Sequence, residues 1–129
     1  MKMTVEFLGK SGFKNIIGEH EVLMDLPIGK GGEGKAPSPS EYFVASLSSC
    51  IGLYVSRYLE TAKMNSEGLK LEIDASGDAE GKRFESINVS INIPNADLGK
   101  RKSAVISAAK KCFIHKTIEN PLEINITLD

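Results

Sequence analysis

Apolar and polar residues alternate at the start of the chain. Met1, Met3, Val5 and Phe7 are interleaved with Lys2, Thr4 and Glu6, the period of a strand with one covered face. Gly9-Lys-Ser-Gly12 reads as a turn, and residues 13–17 and 19–25 read as two further strands parted at Gly18, an antiparallel meander. Residues 28–40 (IGKGGEGKAPSPS) carry no periodicity and predict a mobile loop. Within that stretch Gly31-Gly-Glu-Gly-Lys35 lacks the spacing of a phosphate loop and does not directly open a helix.

The period then changes. Ser38-Pro-Ser-Glu41 has the marks of a helix start: a capping serine, a proline in the first turn and a glutamate three residues on. Phe43, Leu47, Cys50, Ile51, Tyr54 and Tyr58 follow at helical spacing, and Val44, Val55, Leu59 and Ala62 widen the stripe. This pattern predicts a helix from 39 to about 64, buried on most sides. Residues 69–75 and 87–93 alternate again and predict a second hairpin across the polar link at 77–83. Leu98, Val105, Ile106, Ala109, Cys112 and Phe113 share one face of a second predicted helix, which Asn120-Pro121 ends. Leu122, Ile124, Ile126 and Leu128 alternate as a last strand. The expected class is α+β: antiparallel sheets packed on two core helices, in the order βββ-α-ββ-α-β, as one domain over 1–129.

Composition narrows the function. Hydrophobic residues make up 41% of the 129 positions, charged residues 26%, and the formal net charge is −1. That balance argues against nucleic acid or an anionic membrane as partner, and the basic clusters at Lys100-Arg-Lys102 and Lys110-Lys111 read as solvated helix faces. The opening alternation turns polar at Gly9, unlike a secretory segment, and the longest apolar run, residues 42–55, is too short for a membrane span of about 20 residues. A cytoplasmic location is the resulting expectation. There, two cysteines serve redox or metal chemistry more readily than a permanent crosslink.

Cys50 and Cys112 each fall on the apolar stripe of a predicted helix, so the two thiols are expected to meet. On position alone each is better read as a small buried hydrophobe, and it is the presence of both thiols on inward faces, with no other cysteine, that favours a functional pair. A zinc site is the competing use: Cys112-x-x-His115, Cys50 and His20 supply ligand types that zinc accepts, but only one pair has local spacing. Glu41 is read first as the carboxylate of the capping box.

The segments Pro39-Ser-Glu-Tyr-Phe-Val-Ala-Ser-Leu-Ser-Ser-Cys50 and Ala109-Lys-Lys-Cys-Phe-Ile-His-Lys-Thr-Ile118 together resemble the OsmC/Ohr superfamily of osmotically inducible and organic hydroperoxide resistance proteins. The resemblance runs over nearly the whole chain, strand order and pre-cysteine loop included. It implies an intertwined OsmC-like homodimer with active sites at the interface. Cys50 matches the cysteine that attacks a hydroperoxide, Cys112 the one that resolves the sulfenic acid, and Glu41 a candidate catalytic carboxylate. The implied partners are a small-molecule hydroperoxide and a dithiol reductant, with no bound cofactor and no metal. The alternative is a non-catalytic OsmC-like dimer that binds a small apolar ligand and keeps two reduced thiols.

Two positions depart from the peroxidase pattern. Ser40, not a glutamate, follows Pro39, and no arginine precedes Arg57. Without a guanidinium beside it, Cys50 on an apolar helix face is expected to have a raised pKa and weak peroxidase activity, unless His115, Lys116 or a lysine from the strands of a partner copy compensates.

Overall fold

The computed structural model describes all of residues 1–129, which divide into two compact units, residues 1–43 and 44–129. The first holds strands β1 (Thr4–Gly9), β2 (Gly12–Ile17) and β3 (His20–Met24) in an antiparallel sheet of order β1-β2-β3. Gly9 at φ 99° and Lys10 at φ 53° make the first turn, where glycine's freedom at positive φ is needed. Period 2 sorts the side chains as expected. Phe7 lies opposite Phe13 with ring centroids 5.3 Å apart, while Lys14 reaches Glu6 at 2.9 Å and Glu21 at 3.6 Å on the other face. The apolar face is not covered: Val5 is 54% exposed and Phe7 64%.

The loop after β3 was expected to be mobile, and one side chain pins it. Asp25 is buried, and its Oδ1 accepts from the Ser11 hydroxyl (2.5 Å) and the Leu26 amide (2.8 Å). Its Oδ2 accepts from the amides of Glu33 (3.2 Å) and Lys35 (3.1 Å). A buried carboxylate is tolerated only with such donors, and these four draw residues 26–35 into a closed loop. Gly32 sits so close to Leu26 that a Cβ would lie 1.8 Å from the Leu26 carbonyl oxygen, so only glycine fits there.

Helix α1 (Pro39–Thr61) begins with the predicted capping box: Ser38 N–H donates to Glu41 Oε2 at 2.7 Å and Glu41 N–H to Ser38 Oγ at 3.3 Å. It ends at Thr61, slightly short of 64, because Lys63 turns left-handed at φ 54° and the Met64 amide bonds the Leu59 carbonyl at 2.8 Å. Its burial is narrower than expected. Only Leu47, Ile51, Val55 and Leu59, a single row spaced by four, are buried, and Phe43 and Leu53 are exposed.

In the second unit, β4 (Lys70–Gly77) and β5 (Phe84–Asn92) form the expected hairpin. Leu71, Ile87, Val89 and Ile91 pack on the core, with Ile73 and Ala75 half-buried on the same face, while Glu72↔Ser90, Asp74↔Asn88 and Ser76↔Ser86 face out. The α1 row packs with Ile93, Val105, Ala109 and Cys112, and Val55, Leu59 and Cys112 are the largest side chains sealed from solvent.

Two expectations are corrected. The second predicted helix is two: a 3-10 turn at Gly99–Arg101 leads into α2 (Lys102–Lys110), the backbone at Cys112 extends (φ −49°, ψ 132°), and α3 (Phe113–Glu119) follows. Ile106 and Phe113, assigned to the buried face, are 48% and 70% exposed. The last strand is not formed: residues 121–129 have no regular secondary structure and are exposed. A strand has no hydrogen bonds of its own, and no neighbour pairs with this segment within the chain.

Asp25 is held down at a pKa of about 2, chiefly by the Ser11 hydroxyl and then the Lys35 amide, against an ordinary 3.8. A depressed carboxylate stabilises the fold above its unfolded pKa and loses that contribution as pH falls through the folded value. The loop should therefore hold at neutral pH and loosen between about pH 4 and 2. Amide exchange at Glu33 and Lys35, followed by NMR, should accelerate in that window. An Asp25→Ala variant should show the fast exchange already at pH 6.

Candidate functional site

Cys50 sits one residue before Ile51, on the shoulder of the buried row of α1, so its sulfur is half-buried. Cys112 is reached differently. Beyond Lys110 the last turn of α2 tightens, with the Lys111 amide bonding the Ala108 carbonyl (3.1 Å) and the Cys112 amide the Ala109 carbonyl (3.2 Å). The chain then extends, and Cys112 becomes the N-cap of α3: its Sγ accepts from the His115 amide at 3.4 Å and its carbonyl from Lys116 N–H at 2.9 Å. A thiol thus takes the place that serine or threonine commonly fills.

That cap brings the thiols together. The Cys112 thiol and the backbone amides of Phe113 and Ile114 lie beside the Cys50 sulfur, and each favours its anion. Burial pushes the Cys50 thiol up, but the three donors, with Cys112 first, outweigh it and leave the pKa below its ordinary value. Cys112 moves the other way: full burial, then the Cys50 sulfur beside it, push it up despite the His115 amide. The expectation of a raised Cys50 pKa is therefore reversed. The stabilising groups are the ones an extended residue at a helix start turns outward, two backbone N–H groups and a thiol, with no guanidinium needed.

The side chains of His115 and Lys116 are not the compensating groups. His115 Nε2 lies 2.9 Å and Lys116 Nζ 3.1 Å from the two carboxylate oxygens of Glu119. What this segment gives to sulfur is its backbone. Periodicity missed it because it reads side chains; the available signal was a polarisable cap residue, Cys112, three positions before His115. Glu41 serves the capping box, and the Ser38 amide and hydroxyl hold its carboxyl below the usual range. His20 pairs across from Ile17 on β3, and no cluster of three or more His, Cys, Asp or Glu side chains able to hold a metal forms in the chain. No helix is long and apolar enough to cross a membrane.

A strand meander, a central helix bearing one thiol and a capped helix bearing a second define an OsmC-like architecture, and comparison with known proteins agrees. A family model described as OsmC-like protein matches residues 32–127. The chain belongs to that family. An uncharacterized protein of Methanocaldococcus jannaschii is 29% identical over 109 residues, covering 78% of this chain and 54% of its own length, so the chain spans about half of that relative. Among solved structures, a candidate osmotic stress induced and detoxification response protein from Psychrobacter arcticus superposes with TM-score 0.81 at 20% identity, covering 91% of this chain and 87% of that one. An organic hydroperoxide resistance protein OsmC from Legionella pneumophila gives TM-score 0.63 at 19% identity, with coverages of 92% and 89%. At these identities the structural likenesses establish the shared fold.

The asymmetry of the pair is directly measurable. Iodoacetamide should alkylate Cys50 with a pH midpoint below the roughly 8.5 of an unperturbed cysteine, and leave Cys112 unmodified. Cys112→Ala should move that midpoint upward. A wild-type midpoint at or above that of free cysteine would show that the donors fail to hold the thiolate.

Proposed function

We propose that this protein reduces organic hydroperoxides with its two thiols. Cys50 attacks and Cys112 resolves, and an external dithiol restores both. The observation that carries this reading is that the Cys50 and Cys112 thiols lie together in the fold, with the pKa of Cys50 lowered and that of Cys112 raised. Membership of the OsmC-like family and the fold shared with a hydroperoxide resistance protein support a peroxide-stress role.

The chemistry follows from that asymmetry. The Cys50 thiolate displaces the alkoxide from the peroxide O–O bond and becomes a sulfenic acid, and the alkoxide takes a proton to leave as alcohol. Cys112 keeps its proton until then, so it does not compete as nucleophile. Its sulfur next attacks the sulfenic sulfur, water leaves, and a Cys50–Cys112 disulfide remains. The contact in the reduced state puts the two atoms that must bond side by side. Glu41 enters as a positioning group, its box fixing the start of the helix that carries Cys50.

The protein works as a homodimer in this reading. Val5, Phe7, Phe13 and Leu23 on the strand meander are exposed, as are Leu122, Ile124, Ile126 and Leu128, and a second copy would cover them. Equilibrium sedimentation should give about twice the chain mass of 14.0 kDa. A mass near that of one chain would overturn the dimer.

Titration of free thiols before and after one equivalent of cumene hydroperoxide tests the reaction. Two thiols should disappear together, and Cys112→Ser should stall at the sulfenic acid and pass on to sulfinic acid with excess peroxide. Retention of both thiols would instead favour a non-catalytic binding protein.

A further inference from the structure

Residues 98–118 hold no acidic side chain and six lysines and arginines. The chain's net −1 is the sum of +6 in this segment and −7 elsewhere. Lys100, Arg101, Lys102, Lys110 and Lys111 are all exposed, and none of the five forms an ion pair; only Lys116 is matched, by Glu119. Lys102, Ile106 and Lys110 follow one another at four-residue spacing, so an exposed isoleucine stands between two lysines on one row of α2.

Stability does not account for this arrangement. Lys110 and Lys111 suit the C-terminal end of α2, but Lys100, Arg101 and Lys102 crowd its positive N-terminal end. That helix has no acidic residue in its first turn and no side-chain cap. Cations there disfavour the helix by the same rule that makes acidic residues common at such a place.

We propose that this cationic face docks an acidic protein that carries the reducing dithiol. The inference rests on the thiol cycle proposed above. The segment that bears the charge also bears Cys112, so a partner held on it is held on the stretch of chain that supplies one of the two sulfurs. Cys50 is the more accessible sulfur. A partner thiolate attacks it, breaking the Cys50–Cys112 bond and releasing Cys112, which takes up a proton. The partner's second thiol then attacks its own sulfur in the mixed disulfide and frees the Cys50 thiolate, so the partner leaves with a disulfide and two electrons have passed to this protein. A long polyanion such as nucleic acid fits less well, because the −7 carried by the rest of the chain repels it beyond the patch.

The test uses two synthetic dithiol peptides, Cys-Gly-Pro-Cys flanked on each side by two glutamates or by two lysines, with dithiothreitol as uncharged control. Oxidised protein should be reduced on the order of tenfold faster by the acidic than by the basic peptide at low salt, and the ratio should collapse toward one by about 0.5 M NaCl. Replacing Lys100→Gln, Arg101→Gln and Lys102→Gln together should remove most of the ratio while leaving the dithiothreitol rate and the oxidation by cumene hydroperoxide unchanged. Equal rates for the two peptides, or a preference that survives the triple substitution, would overturn the proposal.

A second arm does not need the cycle. The acidic peptide with serines for cysteines, labelled with fluorescein, should bind reduced wild-type protein and not the triple variant, as read by anisotropy. This result would uphold the surface even if no disulfide ever formed. Tighter binding of a single-stranded oligonucleotide of equal charge would reassign the face to nucleic acid. A change in sedimentation mass of the triple variant would reassign it to contact between copies.

Discussion

The extended backbone at Cys112 is the constraint on which the site depends. Had the chain continued as one helix through 111–113, the amides of Phe113, Ile114 and His115 would have bonded carbonyls one turn back. The extension releases them. The amides of Phe113 and Ile114 lie beside the Cys50 sulfur, and that of His115 bonds the Cys112 sulfur. Four unpaired N–H groups are the ordinary cost of starting a helix, and here three of them turn toward sulfur. Core packing holds the arrangement, because Cys112 is sealed among Val105, Ala109 and the α1 row.

The same break settles which thiol is which. Both sulfurs lose water on burial, and by itself this raises both pKa values. Cys112 is fully buried and has the Cys50 sulfur beside it, so its neutral form is favoured despite the amides of His115 and Ile114. Cys50 receives three donors, and its anion is favoured. Two identical residues are thus made unlike by unequal burial and by neutral donors, with no charged side chain among the causes. A guanidinium would add a full positive charge; neutral donors act only at short range, and so demand that the loop after α2 be held in place.

Sequence periodicity was a reliable guide wherever a side-chain face meets a core. The meander, the hairpin with Leu71, Ile73 and Val89 inward, the capping box at Ser38 and Glu41, and the row from Leu47 to Leu59 all lie where the pattern puts them. It failed where the controlling groups are backbone. No glycine or proline marks the break at Lys111 and Cys112, and helical spacing carries smoothly across it, so Phe113 was assigned to a face it does not share. The loop at 26–35 misled for a related reason: its glycines announce freedom, while its order comes from one carboxylate, Asp25, that precedes it. The alternation at 122–128 states a preference for a strand, and a strand needs a neighbour that this chain alone does not supply.

In the cycle proposed above, oxidation would alter the arrangement that sets up the reduced pair. Once a Cys50–Cys112 disulfide forms, Cys112 has no S–H to donate and Cys50 carries no charge to receive it. The amides of Phe113 and Ile114 then face a weak neutral acceptor, and the Cys112 cap on the His115 amide weakens in the same way. Those donors favour the reduced pair with its anionic sulfur over the disulfide. The contacts that activate Cys50 toward an oxidant thus also draw the oxidised protein back toward two thiols. In the proposed cycle, activation and recovery would rest on one short stretch of backbone, residues 111–115, and no charged side chain would have to serve both halves.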